Sequence, residues 1–350
     1  MNVVPRRFGL GLIVVPVLAL MATACGGEGT SATEGGDGAA EEAGALVIYS
    51  GRDQELIDPL IEQMREATGL EIDVRYGDTA QMANQIVTEG ENTNADLFIA
   101  QDAGALGLLV QEGSLADLPA EVTDLVPEQY RDAGDQWVGV SGRSRVIVFD
   151  PADVDEVPDS VLDLTDPEWE GRVGIAPTNA SFQAFVTGLR VIEGEEAARQ
   201  WLDDMVANDV QTFENNRSML DALESGDIDL SLNNHYYWYE RVKEQGADAV
   251  TSEVHYLPAG DAGGLVNVAG AGITADAANP EGALTALEFL LGEEAQTYFT
   301  QETSEYPLVA GVPLGEGLEE LDSLEQPNID LSDLHSLDET VEMLREAGLE

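Results

Sequence analysis

Hydrophobic and polar residues follow two alternating periods from residue 45 onward. Short apolar runs are typical of strands, whereas the segments between them space their apolar residues three and four positions apart, as amphipathic helices do. Strand and helix alternate in this first part, and that order predicts a parallel sheet covered by helices on both faces. The predicted strands are 45–49, 72–74 and 96–99, and the predicted helices are 54–67, 79–89 and one through 106–110.

A second set of elements with the same two periods begins at residue 146, and no internal sequence repeat relates it to the first set. Ligands of open α/β sheets bind beyond the carboxyl ends of the strands, so the loops that follow the predicted strands are candidate binding segments. The predicted elements of this set are strands at 146–149, 173–176, 228–232 and 264–269 and helices at 182–192 and 281–291.

The length of the chain predicts two lobes. The roughly 300 residues from residue 45 onward exceed the usual size of a single hydrophobic core. We therefore expect an α/β fold with two doubly wound lobes, the ligand between them, and chain crossings near Arg145 and Val266. The predicted boundaries are 45–145 plus 267–317 for lobe 1, and 146–266 plus 318–350 for lobe 2.

The start of the chain has the layout of a secretory signal. Two arginines precede an apolar run at 10–21, which is short for a membrane span. Cys25 follows three small residues, resembles the lipid-modified residue of a bacterial lipobox, and is the only cysteine of the chain. We therefore predict a signal peptide at 1–24, a lipidated Cys25 with a flexible linker at 25–44, and a protein exported and lipid-anchored to the outer face of the cell membrane. The alternative is an ordinary cleaved signal with a coincidental cysteine.

The charge balance excludes nucleic acid as a partner. The chain has 15 Lys and Arg against 68 Asp and Glu, a formal net charge of −53, whereas phosphate backbones require a basic surface. The acidic residues are spread along the whole chain, which favours a solvated surface adapted to high salt over a device that collects metal cations.

Residues 233–239, Asn-Asn-His-Tyr-Tyr-Trp-Tyr, directly follow a predicted strand. Neighbouring residues of a strand point to opposite faces, so Tyr236 and Tyr237 converge only if the backbone bends between the asparagines and the helical pattern at 238–245. Two convergent phenols suit a hard cation such as ferric iron, because a strong Lewis acid displaces the phenol proton. The alternative is an aromatic wall that stacks on an organic ligand, and the residues alone leave both open. His235 is interpreted as a supporting residue.

Two further segments offer groups for an anion. Asn179 is placed to cap the helix after residues 177–181, where free amides of the first turn hold anions, although an ordinary cap needs no ligand. Arg143 and Arg145 lie close together in a chain that has few basic residues, either for an anion or for ion pairs with the abundant acids. With three histidines and one cysteine, a nucleophilic triad has little support.

Four stretches, in the same order and spacing, resemble the periplasmic ferric-ion-binding proteins, or bacterial transferrins, which feed iron to ABC transporters. The resemblance covers essentially residues 45–348 and implies a two-lobed periplasmic-binding-protein fold with the ligand in the inter-lobe cleft. It also implies a monomer that catalyses no reaction and delivers ferric iron to a membrane permease. The stretches are 48–52 (IYSGR), 141–146 (SGRSRV), 233–239 (NNHYYWY) and 304–308 (SEYPL).

The resemblance also implies a set of site residues. It implies that Tyr236 and Tyr237 bind ferric iron as paired tyrosinates. A synergistic anion, phosphate or carbonate, then completes the coordination. Asp53 stands where many members have a histidine, and Gln101 where some have a glutamate, so both are candidate metal ligands; Asp53 alternatively only caps the helix that begins near residue 54. The anion-binding residues are predicted to be Asn179, Ala180, Ser181, Asn216 and Asn234, with Arg52 and Arg143.

Two other functions remain open at this point. One is a binding protein for an organic or phosphorus-containing solute, with the tyrosines as stacking walls. The other is a secreted hydrolase with a Tyr or Asp base, against which the absence of a paired nucleophile and base argues.

Overall fold

The computed structural model describes residues 44–349 except 259, 325 and 328. The predicted signal peptide, Cys25 and nearly all of the predicted linker lie outside the described residues. Within the described part of the chain, no helix combines the length and the apolar character that a membrane crossing requires.

The described chain alternates strands and helices, as the hydrophobic pattern predicts. The strands are β1 (Leu46–Ser50), β2 (Ile72–Tyr76), β3 (Leu97–Ala100), β4 (Val138–Phe149), β5 (Val173–Ile175), β6 (Gln211–Thr212), β7 (Leu230–Asn234), β8 (Glu253–His255), β9 (Val266–Ile273) and β10 (Tyr306–Pro307). The α-helices are α1 (Gln54–Thr68), α2 (Thr79–Glu89), α3 (Ala103–Gln111), α4 (Ala120–Thr123), α5 (Ala180–Glu193), α6 (Glu195–Ala207), α7 (Asn216–Glu224), α8 (His235–Gln245), α9 (Pro280–Leu290), α10 (Glu293–Gln301) and α11 (Leu337–Glu346).

The first part of the chain forms the predicted parallel βαβαβ unit. Strand β1 pairs in parallel with β2 on one side and with β3 on the other. Helix α1 buries the apolar face that its sequence spacing predicts and ends at Gly69, whose φ of 71° is left-handed and so suits glycine. The prediction for this unit is confirmed, with strand and helix ends that shift by a few residues.

Strand β4 connects the two halves of the molecule, and its length was not predicted. It has 12 residues, of which only 146–149 were expected to form a strand. Its first part pairs with β9 and β10, whereas its last part pairs with β7 and β8. The change of partner occurs between Ser144, which is paired with Val266, and Arg145, which is paired with Asn234. The strand order along the main path is β2-β1-β3-β9-β4-β7-β5-β6.

Strand β7 lies two residues later than predicted, at Leu230–Asn234 instead of 228–232. Both asparagines therefore belong to the strand, and α8 begins at His235 rather than at residue 238. Tyr236 and Tyr237 consequently lie in the first turn of a helix, directly after the carboxyl end of a strand.

The buried apolar residues form one large cluster on the β1–β3 side and two clusters on the β5–β7 side. Each side therefore has a hydrophobic core of its own. Each fully buried large apolar side chain contributes about 1.5–3 kcal/mol to the stability of the fold. Residues 318–350, which we assigned to lobe 2, contribute to both sides. Leu331 and Leu334 pack in the first cluster, whereas Met343 and Leu344 pack in the second.

Candidate functional site

Tyr236 and Tyr237 converge because strand β7 passes directly into helix α8. Asn234 has the extended backbone of an N-cap, with φ −94° and ψ 140°, and the helix begins at the next residue. The two tyrosine rings lie 4.2 Å apart, with 32° between their planes. Tyr236 is buried, with 2% of its surface exposed, and Tyr237 is half-buried. The bend on which the ferric hypothesis depends is therefore present.

The protein by itself disfavours the ionised form of Tyr236. Burial raises the pKa of this phenol well above its ordinary value, and the neighbouring Tyr237 raises it further, while the positive charge of Arg143 opposes both. A phenol in this environment loses its proton only to a strong Lewis acid. The pair is therefore suited to a highly charged cation that displaces protons.

A buried ion pair lies close to the tyrosines. Arg52 donates two hydrogen bonds of 2.9 Å to the two carboxylate oxygens of Glu305, and the side chains are only 1% and 2% exposed. The hydroxyls of Ser141 and Thr303 also donate to Glu305, at 3.0 and 3.2 Å. Burial alone would raise the pKa of the Glu305 carboxyl, but Arg52 outweighs burial and holds it below its usual value. The ion-pair alternative that we considered for Arg143 and Arg145 is met in part, since Nη1 of Arg143 lies 4.0 Å from the same carboxylate.

Glu305 was not identified from the sequence as a functional residue, although it lies inside the stretch 304–308. Its partners come from distant parts of the chain, and Arg52 is 253 positions away. The signal available beforehand was the position of an acidic residue inside a stretch that resembles the family.

Arg143 and Arg145 are both buried, and they have different partners. Nη2 of Arg143 donates to the main-chain oxygen of Gln101, and within the described chain its buried Nη1 has no hydrogen-bond partner. Nη1 of Arg145 donates to the main-chain oxygen of Leu232 at 3.2 Å, and Nη2 donates to both oxygens of Ser181. Burial lowers the pKa of Arg145 to about 9, so its guanidinium remains charged at neutral pH.

Three of the predicted anion-binding residues form one hydrogen-bonded group at the start of α5. Asn179 caps this helix, and its Oδ1 accepts from the main-chain nitrogen of Ser181 at 3.0 Å. Nδ2 of Asn234 donates to the Ser181 hydroxyl at 2.9 Å. Ala180 is the first residue of α5, where the helix itself leaves main-chain N–H groups without a partner. The group thus combines hydroxyl, amide and helix N-terminus.

Asn216 contributes the clearest sign of a missing partner. It is the first residue of α7 and is 1% exposed, and within the described residues neither its amide oxygen nor its amide nitrogen has a hydrogen-bond partner. Burying an amide without hydrogen bonds costs roughly 1–3 kcal/mol. A ligand with both acceptor and donor capacity would remove that cost.

A small pocket joins the two sides of the molecule at this place. Arg143 and Asn267 contribute from β4 and β9, and Arg145, Ser181 and Asn234 contribute from β4, α5 and β7. Cationic and amide groups from both sides therefore line one small space.

Asp53 and Gln101 lie on the β1–β3 side, and both have structural contacts. Oδ1 of Asp53 accepts from the main-chain nitrogen of Glu55 at 2.9 Å, so this exposed residue caps α1. Gln101 follows β3 and is half-buried, and its main-chain nitrogen donates to the Thr79 hydroxyl at 3.2 Å. The structure thus gives Asp53 the capping role that we considered as the alternative to metal binding.

His235 precedes the two tyrosines on α8, and its ring packs beside that of Tyr236. Its Nδ1 accepts from the main-chain nitrogen of Ser144 at 3.2 Å, and its ring stacks on Tyr306 at 4.6 Å. Burial lowers its pKa to about 4, so the imidazole is neutral at physiological pH. Across the described residues, no group of three or more His, Cys, Asp or Glu side chains is arranged to hold a metal ion.

Several known proteins with similar sequence are named for binding iron. The family of bacterial extracellular solute-binding proteins matches residues 92–330. The Fe(3+)-binding periplasmic protein of Serratia marcescens is 30% identical over 347 residues, which cover 98% of this chain and 99% of the relative. The major ferric iron-binding protein of Neisseria meningitidis serogroup B is 30% identical over 87% of this chain and 93% of its own.

Solved structures agree with this relationship. Iron-bound HitA from Pseudomonas aeruginosa has a TM-score of 0.81 and 32% identity, and the match covers 87% of this chain and 99% of that one. The shared architecture is the two-lobed periplasmic-binding-protein fold, so the predicted fold class is confirmed. The chain therefore belongs to the bacterial extracellular solute-binding protein family, and its resemblance to the periplasmic ferric-ion-binding proteins within that family is confirmed.

Proposed function

We propose that this chain is an extracytoplasmic lipoprotein that captures ferric iron together with an anion and delivers the iron to an ABC permease. It catalyses no reaction. The observation that carries the proposal is the convergence of Tyr236 and Tyr237 at 4.2 Å between ring centres, at the start of α8. Two phenols at one point suit a trivalent hard cation better than zinc or calcium, which prefer other ligand types. Relatives named for ferric iron over nearly the whole chain support the same cargo.

The anion belongs to this proposal because buried arginines act on the tyrosines and the buried amide of Asn216 has no hydrogen-bond partner in the described part of the chain. The proposed donors for phosphate or carbonate are the unpartnered amide of Asn216, the α5 group of Asn179, Ser181 and Asn234, and Nη1 of Arg143, which makes no hydrogen bond within the described residues and lies 4.0 Å from the Glu305 carboxylate. An anion also completes the coordination that two phenolates leave open. A Trichodesmium protein with 27% identity and a TM-score of 0.75, over 88% of this chain and all of that one, binds iron and citrate. Citrate therefore belongs in the same experiments.

The ligand from the β1–β3 side is proposed to be Asp53 or Gln101. The cap of α1 uses Oδ1 of Asp53, and Oδ2 is not needed for that bond. The main-chain oxygen of Gln101 accepts a hydrogen bond from Arg143, so the proposed ligand atom of Gln101 is its side-chain amide oxygen. Either residue would connect the iron to the opposite lobe and favour closure.

The purified protein, loaded with ferric iron and phosphate, carbonate or citrate, tests the proposal. Ferric tyrosinate absorbs visible light through charge transfer from ligand to metal, so the loaded protein should be coloured. Tyr236→Phe and Tyr237→Phe keep the ring packing and remove the oxygen, and each should abolish tight binding in chelator competition. A colourless protein, or variants that bind iron as tightly as the parent, would refute the metal site and favour an organic solute.

The lipid anchor and the export are proposed from the sequence and need a separate test. Cys25→Ser in the full chain should release the mature protein from the membrane fraction into solution. A variant that stays in the membrane fraction would show that the anchor is elsewhere.

A further inference from the structure

Two ion pairs connect helices α7 and α8, and one of them touches the tyrosine pair. Nη2 of Arg217, on α7, lies 3.0 Å from Oε2 of Glu240, on α8. The guanidinium carbon of Arg217 lies 5.1 Å from the ring centre of Tyr237. The second pair, Arg241 on α8 with Asp221 on α7, connects the same helices.

Glu240 holds Arg217 in place over the ring. It lies three positions after Tyr237, on the neighbouring turn of the same helix, and helical side chains lean toward the N-terminus of their helix. Its side chain is 14% exposed, whereas that of Arg217 is 57% exposed. Burial raises the pKa of the Glu240 carboxyl to about 7, and the charge of Arg217 opposes this rise. The hydrogen bond of 3.0 Å from Arg217 to this better-buried side chain holds the more exposed cation.

The first turn of α7 carries one residue of the proposed anion site and one residue next to the proposed metal site. Asn216, with its buried unpartnered amide, and Arg217 are consecutive residues at the start of α7. Asn216 is one of the predicted anion-binding residues, and Arg217 lies over a proposed metal ligand. The buried Arg143 is a further positive charge that acts on Tyr236.

We propose that Arg217 is a positioning residue for the cargo, because its guanidinium stabilises the negative charge that the Tyr237 ring acquires on binding ferric iron. When iron binds, the phenol oxygen forms a bond to the metal and its proton leaves to solvent. A cation over a neutral ring is already attracted to it, and the attraction grows when the ring carries a full negative charge. This inference rests on the proposed function, in which Tyr237 binds ferric iron.

The test compares Arg217→Gln, Arg217→Lys and Arg241→Gln in the iron-loaded protein. Arg217→Gln should weaken ferric affinity about tenfold in chelator competition, which corresponds to about 1.4 kcal/mol. It should also move the charge-transfer band to lower energy, because the phenolate loses the cation that stabilises its electrons. Arg217→Lys should retain most of the affinity and of the band position. Arg241→Gln breaks the other α7–α8 ion pair and the 3.5 Å hydrogen bond from Arg241 to the main-chain oxygen of Arg217, but it leaves the guanidinium of Arg217 in place, so it should behave as the parent.

A fourth variant distinguishes the position of the Arg217 side chain from its charge. Glu240→Gln keeps the shape but loosens Arg217, so it should give a smaller shift of the band in the same direction. The inference is overturned if Arg217→Gln has the affinity and band of the parent, or if Arg241→Gln causes the same losses. A parent protein that develops no visible band with ferric iron and any of the three anions refutes the proposed function itself, which keeps the two failures distinct.

Discussion

Replacing Glu305 with glutamine should destabilise the protein strongly, because it leaves Arg52 charged and buried without a counter-charge. The two side chains are 1% and 2% exposed, and two hydrogen bonds of 2.9 Å join them. Removing one partner of a buried ion pair costs about 3–5 kcal/mol, since the remaining charge keeps its desolvation penalty. Arg143 adds to this cost, because its Nη1 lies 4.0 Å from the same carboxylate. We therefore expect a loss of about 3–5 kcal/mol in the free energy of unfolding.

Urea titration followed by tryptophan fluorescence measures this loss, at fixed salt because the protein is strongly acidic. Glu302→Gln is the matched control. Glu302 lies three positions earlier and pairs with Lys243 at 3.0 Å, but these side chains are 60% and 53% exposed. Such surface pairs contribute about 0–1 kcal/mol. Equal midpoints for Glu305→Gln and Glu302→Gln would refute the assignment of Glu305 as a buried counter-charge.

The same carboxyl predicts a pH dependence. The folded-state pKa of Glu305 is depressed, so the group contributes stability above its unfolded pKa and loses it as the pH falls through the folded value. The parent should therefore lose stability below about pH 4.5, near the ordinary pKa of glutamate. Glu305→Gln should lack this component, and the stability difference between the two proteins should shrink on acidification. A difference that is constant from pH 7 to about pH 3 would contradict the depressed pKa.

Three further predictions concern the cargo. Ferric affinity should fall by about a hundredfold per pH unit on acidification if two phenols each release a proton, and occupancy that stays constant down to about pH 4 in chelator titrations would exclude tyrosinate coordination. Small-angle scattering should give a smaller radius of gyration with iron and anion than without, because the proposed ligand contacts both lobes. Equal radii would place the site within one lobe or mean that the apo protein is already closed. Asp53→Asn should weaken ferric affinity and reduce the difference in lobe opening between the apo and iron-loaded forms. Its thermal stability should stay close to that of the parent, because asparagine caps α1 nearly as well. An unchanged affinity and charge-transfer band would mean that Asp53 is a helix cap only.

The parts of the fold that were predictable are those in which apolar periodicity decides the structure. The unit from β1 to α3 was predicted element by element, because each strand and helix there buries a face of ordinary apolar residues. The part of β4 before residue 146 was missed because it reads Val-Gly-Val-Ser-Gly-Arg-Ser-Arg rather than as an apolar run. It is buried all the same, since Glu305, Gln101 and Ser181 accept hydrogen bonds from Ser141, Arg143 and Arg145. Such partners are remote in sequence, so no local pattern predicts them.

The site was predictable to a similar degree. The convergence of the tyrosines required a bend, and the sequence placed it correctly between a strand and a helix, although α8 begins three residues earlier than the helical pattern suggested. The roles of Glu305 and Arg217 were not foreseen. Each depends on a pairing between separate elements, across 253 positions for Glu305 with Arg52 and 23 for Arg217 with Glu240.

The distribution of arginines explains how so acidic a chain can hold an anion. The chain has 15 Lys and Arg and a net charge of −53, so its surface repels free anions, and salt screens that repulsion. Yet Arg52, Arg143 and Arg145 are buried beside the tyrosines, where screening by salt is weak. Keeping them there is costly, as the lowered pKa of Arg145 shows. Glu305 neutralises one of them, which leaves a local excess of positive charge in the pocket. Two phenolates and a multiply charged anion together outweigh the charge of the ferric ion, and this excess would balance the negative charge that remains.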